Sequence, residues 1–125
     1  MTISEVSKKC DISADTLRYY EKVGLISFVN RTSGGLRDYK EEDCKQIMFV
    51  KCMRSAGLSI EVLKKYFDLF KRGKRTLKTR RDLLAKEREN LQMHFKELQE
   101  TLKRLDYKIS VYDKALKSKD KELKF

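Results

Sequence analysis

The sequence predicts a mostly α-helical protein in two parts, a small helical head and one long pairing helix. Three observations carry that expectation. From Leu77 to Leu116 the apolar residues follow two interleaved seven-residue series, with no Gly or Pro to break a helix. Near the amino terminus, Thr2 and Ser13 each precede a short amphipathic run, as N-caps do. Further on, Ile26, Phe28 and Val29 stand before Thr32-Ser33-Gly34-Gly35, a turn-forming cluster with Leu36-Arg37-Asp38-Tyr39 behind it.

Taken in order, Thr2 and Glu5 form a capping box that starts a helix running to about Lys9, with Ile3 and Val6 inward. Cys10-Asp11-Ile12 links it to Ser13, which caps a second helix from Ala14 to about Lys22. Gly24 sits where a helix ends in the left-handed conformation. Two short helices joined by a tight turn make a helix-turn-helix. Ser13 at the start of the second helix, and Thr16, Arg18, Tyr19, Tyr20 and Lys22 along it, are residue types suited to a duplex. Arginine bridges two guanine acceptors, while hydroxyls and lysine reach phosphates. Such helix pairs also serve protein–protein modules, so residue types leave both readings open.

The hairpin expected over Leu25–Tyr39 follows directly, and in that place a hairpin is a wing. Arg31, Arg37 and Tyr39 are the residues that would lay it on the sugar–phosphate backbone. The competing reading is a hairpin that only closes the core. A third helix is expected from Glu41 to about Ser55, opened by Glu41, Glu42 and Asp43 at the positive end of its dipole. Its expected apolar face is Cys44, Ile47, Met48, Cys52 and Ala56, and Gly57 closes it. Ser59 caps a fourth helix, Ile60 to about Arg72, with Val62, Leu63, Tyr66, Phe67 and Phe70 inward and Gly73 at its end. The expected division is therefore a head of residues 1–73, a helix over 74–117 and a charged tail over 118–125.

In the long helix one series is Leu77, Leu84, Leu91, Leu98, Leu105 and Tyr112; the other is Phe95, Leu102, Ile109 and Leu116, preceded at the same spacing by Arg81 and Arg88. Alternating steps of three and four make this an a/d seam. A lone helix about 60 Å long, with one narrow apolar stripe, has nowhere to bury it. A second copy of the chain under two-fold symmetry is the simplest partner. In a parallel pair Arg81 and Arg88 would each face their own copy, which favours an antiparallel coiled coil. The fold class expected is thus a winged helix-turn-helix followed by a long dimerisation helix in an antiparallel coiled coil.

Bulk properties agree. The 125 residues allow one small domain plus an extension, and the net charge of +11 points to a polyanionic partner. Residues 1–73 hold fourteen Lys and Arg against ten Asp and Glu, and residues 74–125 hold sixteen against nine, so the positive charge is spread over both parts. A solvated basic coiled coil accounts for some of it. The longest apolar run, Ile47-Met48-Phe49-Val50, is far too short to cross a membrane, and the amino terminus has no export signal. Three cysteines in such a chain read as free thiols, which places the protein in the cytoplasm. No phosphate-cradling glycine loop and no nucleophile–base pair is present, so neither an enzyme nor a cofactor site is expected. No cysteine follows Cys52 and His94 is the single histidine, so residues 74–125 cannot supply a soft metal site.

Ile3-Ser4-Glu5-Val6, Thr16-Leu17-Arg18-Tyr19-Tyr20-Glu21-Lys22-Val23-Gly24-Leu25-Ile26, Arg37-Asp38-Tyr39 and Gly57-Leu58-Ser59-Ile60, followed by the long helix, resemble the MerR family of transcription regulators. The resemblance covers nearly the whole chain. It implies a homodimer whose heads each read half of a palindromic promoter, bending and untwisting an overlong −35/−10 spacer so that RNA polymerase engages both elements. It implies DNA contacts from Arg18, Tyr19, Tyr20, Arg37 and Tyr39. Lys40 departs from the pattern, standing where the family often has Ser, Thr or Asp before the third helix.

Cys52-Met53-Arg54-Ser55-Ala56-Gly57, with Tyr66 to Gly73 and Lys108-Ile109…Tyr112, resembles the thiol-based branch that answers aldehydes and other electrophiles. That resemblance makes Cys52 the expected sensor and a small electrophile its signal. A reactive cysteine needs nearby cations, and Lys51 and Arg54 are its sequence neighbours. The competing reading is an architectural, weakly sequence-selective DNA-binding coiled-coil protein in which Cys52 is a small core hydrophobe. Cys10 and Cys44 fall at ordinary core positions.

Overall fold

A computed structural model of the chain describes residues 1–26 and 29–118. Helix α1 spans Ile3–Cys10 and α2 spans Ala14–Val23; strands β1, Asn30–Arg31, and β2, Arg37–Asp38, pair next. Then come α3, Glu41–Ser55, α4, Ile60–Lys71, a 3₁₀ turn at Lys74–Thr76 and α5, Leu77–Lys117. The chain forms two compact units, Met1–Glu87 and Arg88–Phe125. Among the described residues no helix is long and apolar enough to cross a membrane.

The ends of the helices follow from their caps. The Thr2 hydroxyl accepts from the Glu5 amide at 3.2 Å and the Glu5 carboxylate accepts from the Thr2 amide at 3.1 Å, completing the capping box. Ser13 and Ser59 accept from Thr16 and Val62 amides, each at 3.1 Å. Gly24, at φ 85°, lets the Leu25 amide reach back to the Tyr20 carbonyl, a turn that an L side chain would strain. Lys40 supplies no capping side chain to α3. Instead its amide donates to Asp43 Oδ2 at 2.9 Å, so only the carboxylate half of a capping box forms there.

The sheet is shorter than expected. β1 begins only at Asn30, in antiparallel register Asn30↔Asp38 and Arg31↔Arg37, and the turn closes through Thr32, whose amide donates to the Leu36 carbonyl at 2.7 Å. Ile26 and Val29 are core residues rather than ladder residues, and Phe28 lies outside the described residues. Of the expected tail, only Ser118 lies within the described residues.

One core joins the head: Val6 and Cys10 from α1, Leu17 and Tyr20 from α2, Leu25, Ile26, Val29 and Tyr39 from the wing region, Cys44, Ile47 and Val50 from α3, then Leu58, Leu63 and Phe67. The inward stripe of α3 is Cys44–Ile47–Val50, stepping by three, whereas the expected stripe stepped by four through Met48 and Cys52. Met48 and Cys52 therefore face outward in the single chain. Phe49 completes an aromatic cluster with Tyr66 and Phe67, at centroid distances of 5.7 and 6.2 Å. Ile3 is only half-buried, and Phe70 is exposed instead of inward. Its ring carries the Arg80 guanidinium 5.1 Å above the centroid, which offers the outward aromatic a cation–π partner.

The elbow between α4 and α5 is tied tightly. The buried Thr76 hydroxyl donates to the Leu69 and Gly73 carbonyls at 2.7 and 2.8 Å, and Arg80 donates to Thr76 Oγ1 and the Gly73 carbonyl. By contrast, no residue of α5 is buried.

Candidate nucleic-acid interface

Helix α2 is amphipathic with a clear division of labour. Leu17 and Tyr20 seal it to the core, while Arg18, Tyr19 and Lys22 stand on the outer face with Ser13 at the start. Ser13 Oγ lies 2.7 Å from Thr16 Oγ1, so both hydroxyls belong to the cap and point at the same end of the helix. Arg18 Nη1 donates to Asp15 Oδ1 at 2.9 Å, one turn back along an exposed face. That pair is solvent-exposed and weak, and it yields to a stronger acceptor such as a guanine edge.

On the wing, Arg31 and Arg37 are direct partners across the ladder. Two guanidinium groups opposite each other repel. Between them stands Glu21 of α2: Arg37 Nε donates to Glu21 Oε2 at 2.7 Å, and Arg31 Nη2 lies 3.6 Å from Oε1. The hydrogen bond from Arg37 to Glu21 holds that guanidinium still more firmly protonated. Helix and wing thereby present Arg18, Arg31 and Lys22 as exposed cations beside a half-buried Arg37.

Two of the expected DNA-contacting residues are in the core instead. Tyr39 is 1% exposed and Tyr20 is 8% exposed, so both rings are held in the core rather than on the outer face. Both rings bury large apolar area, and the amphipathic character of tyrosine hid that choice from the sequence. The Tyr39 hydroxyl has no hydrogen-bond partner among the described residues, and burial pushes its pKa up. Two residues missed in the sequence matter here. Glu21 carried no signal of its own, being one of two carboxylates in a helix with equal numbers of acidic and basic side chains. Lys51 Nζ donates to the Cys10 and Asp11 carbonyls at 3.0 and 2.7 Å, closing the end of α1 at the turn of the helix-turn-helix.

Cys52 lies on the exposed side of α3. Its two sequence neighbours in charge are engaged elsewhere, Lys51 as above and Arg54 by the Leu58 carbonyl at 2.8 Å. Cys10 and Cys44 are buried together in the core, where burial raises the Cys44 thiol pKa. Among the described residues no group of three His, Cys, Asp or Glu side chains could hold a metal ion.

The chain matches two family models. Residues 1–69 match the MerR HTH family regulatory protein and residues 44–107 match the MerR DNA-binding region. The chain belongs to the MerR family. It is a DNA-binding transcriptional regulator, a binding protein and not an enzyme. The regulator AdhR of Bacillus subtilis is similar to this MerR-family chain, 55% identical over 91 residues; the match spans 73% of this chain and 65% of AdhR. A crystal structure of a chain from Listeria monocytogenes assigned to MerR family transcriptional regulators is 47% identical, with TM-score 0.87 over 90% of this chain and 86% of that one. HiNmlR, a MerR family regulator lacking the sensor domain and crystallised on promoter DNA, is 31% identical, with TM-score 0.84 over 91% of this chain and 90% of that one.

Proposed function

We propose that two copies pair through antiparallel α5 helices and that the dimer binds a palindromic promoter, remodelling the −35/−10 spacer for RNA polymerase when a reactive aldehyde or other electrophile meets Cys52. The observation that carries the reading is the outward seam: Leu91, Phe95, Leu98, Leu102, Leu105, Ile109, Tyr112 and Leu116 are all exposed in the single chain. Leu77 is exposed in the same way, and Leu84 is half-buried, so the seam extends toward the head. Apolar side chains at this spacing gain free energy only from a partner helix.

Residues 1–73 then read DNA, residues 74–117 pair, and 118–125 are a charged tail. In each head Thr16, Arg18, Tyr19 and Lys22 enter the major groove, with Ser13 at the helix start, while Arg31 and Arg37 lie along the backbone. HiNmlR, a relative of similar span, sits on promoter DNA, which supports the target. Bending and untwisting a spacer takes on the order of 1–6 kcal/mol, supplied by phosphate contacts from both heads. For the signal, the support is the exposed position of Cys52 and the resemblance of its surroundings to the thiol-based branch. A reducing cytoplasm keeps that thiol free until an electrophile arrives.

The test is footprinting and run-off transcription on promoters whose spacer is lengthened or shortened one base pair at a time. Activation confined to an overlong spacer, with one two-fold-symmetric footprint, is expected. Equal transcription at every spacer length would refute the remodelling.

A further inference from the structure

We infer that Glu21 is a positioning residue for DNA recognition, a carboxylate that clamps the wing to the recognition helix and sets where Arg31 and Arg37 present their charge. The inference rests on the reading that the wing lies along the DNA backbone. Strands of two residues form a ladder too short to hold a hairpin by itself. The hairpin also carries two arginines opposite each other, a pairing that pushes its strands apart. Glu21 answers both needs. Its side chain is 11% exposed and it holds Arg37 at 2.7 Å while facing Arg31 at 3.6 Å, so one carboxylate ties both strands to α2. The Arg37 side chain is itself largely covered, so its direction is fixed before any duplex arrives. The remaining N–H groups of each guanidinium stay available to phosphate, because a guanidinium offers five donors.

The inference has a signature that charge alone would not produce. Removing a carboxylate from a surface that meets a polyanion should tighten binding, since the net charge of the protein becomes more positive. A positioning carboxylate does the reverse: without it the two arginines part, the wing loses its angle and phosphate contacts are lost. Glu21→Gln, Glu21→Asp and Arg37→Ala are compared with the unaltered dimer by fluorescence anisotropy, on a short duplex selected by the unaltered protein from a random pool. The measurement is repeated across a salt series, with circular dichroism as the folding control.

Glu21→Gln should weaken binding about tenfold, the scale of one lost charge-assisted hydrogen bond. The slope of log affinity against log salt should flatten by roughly one phosphate contact. Glu21→Asp keeps the charge but shortens the reach, and should fall between. Should Glu21→Gln be unfolded, the Asp variant carries the test. Binding by Glu21→Gln as tight as or tighter than that of the unaltered protein, with Arg37→Ala weakened, overturns the clamp and leaves the wing contact standing. Unchanged binding by Arg37→Ala overturns the wing reading itself.

Discussion

Leu98→Glu should convert the protein from a dimer to a monomer at micromolar concentration. Leu98 lies mid-way along the seam and is 50% exposed in the single chain, so about half of its side chain remains to be buried by a partner. Full burial of a leucine is worth about 1.5–3 kcal/mol, which leaves about 1 kcal/mol for the remaining half. Two-fold symmetry doubles every such term, so the loss of burial alone comes to about 2 kcal/mol, roughly a thirtyfold weaker association. Two unpaired carboxylates forced into an apolar seam add several kcal/mol more. Together these place the dissociation constant above the starting value by more than about a thousandfold. Sedimentation equilibrium over a concentration series reads this directly. Leu98→Met is the control, a swap of similar volume that should cost less than about 1.5 kcal/mol. Acidification should partly restore the dimer, because a carboxyl buried in the pair has its pKa raised and is neutral there while still charged in the free chain. An association constant for Leu98→Glu equal to that of the unaltered protein would remove residue 98 from any interface and with it the proposed register.

Arg18→Ala should weaken specific binding by about 1–3 kcal/mol and relax sequence preference, measured by repeating the selection on random duplexes; an unchanged consensus would withdraw Arg18 from base reading. Cys52→Ser should bind the promoter normally and fail to respond to an added aldehyde in run-off transcription, and a fully responsive variant would leave Cys52 without a sensing role. Tyr39→Phe removes a buried hydroxyl that has no partner among the described residues, so stability should stay level or rise by up to about 1 kcal/mol, with DNA affinity unchanged. The sign with pH follows from burial, which raises the folded phenol above its unfolded value of about 10. Its stabilising contribution is complete below about pH 10 and is lost as pH climbs through the folded pKa, so the advantage of Tyr39→Phe should widen in alkali. Urea melts at neutral and alkaline pH measure it; a Phe variant several kcal/mol weaker at neutral pH would show the hydroxyl to be satisfied.

What was legible in the sequence was chiefly what depends on neighbours along the chain. Thr2 with Glu5, Ser13, Ser59 and Gly24 mark helix ends because the groups that cap and the groups that need capping lie within a few residues of each other. The seven-residue repeat announced α5 for the same reason. The inward face of α3 was not legible, because Met48 and Val50 are both apolar and the local pattern does not say which of them joins the core. Nor were the tyrosines: a residue with an apolar body and a polar tip suits a core or a groove equally well, and Tyr20 and Tyr39 take the core. The interactions that shape the reading surface span the chain. Arg37 meets Glu21 across 16 positions, and Lys51 meets Cys10 across 41. No local pattern announces a partner at that range.

The Lys51 staple has a mechanical consequence. Lys51, which fastens the joint between α1 and α2 from outside the pair, is bonded, in the covalent chain, to the residue proposed to meet the electrophile. If an adduct on the sulfur turned or unwound α3 by a fraction of a residue, the ammonium would be dragged off two oxygens at once and the hinge of the reading head would slacken. Signal and grip would then be separated by one peptide bond, and no lever arm through the interior would be required.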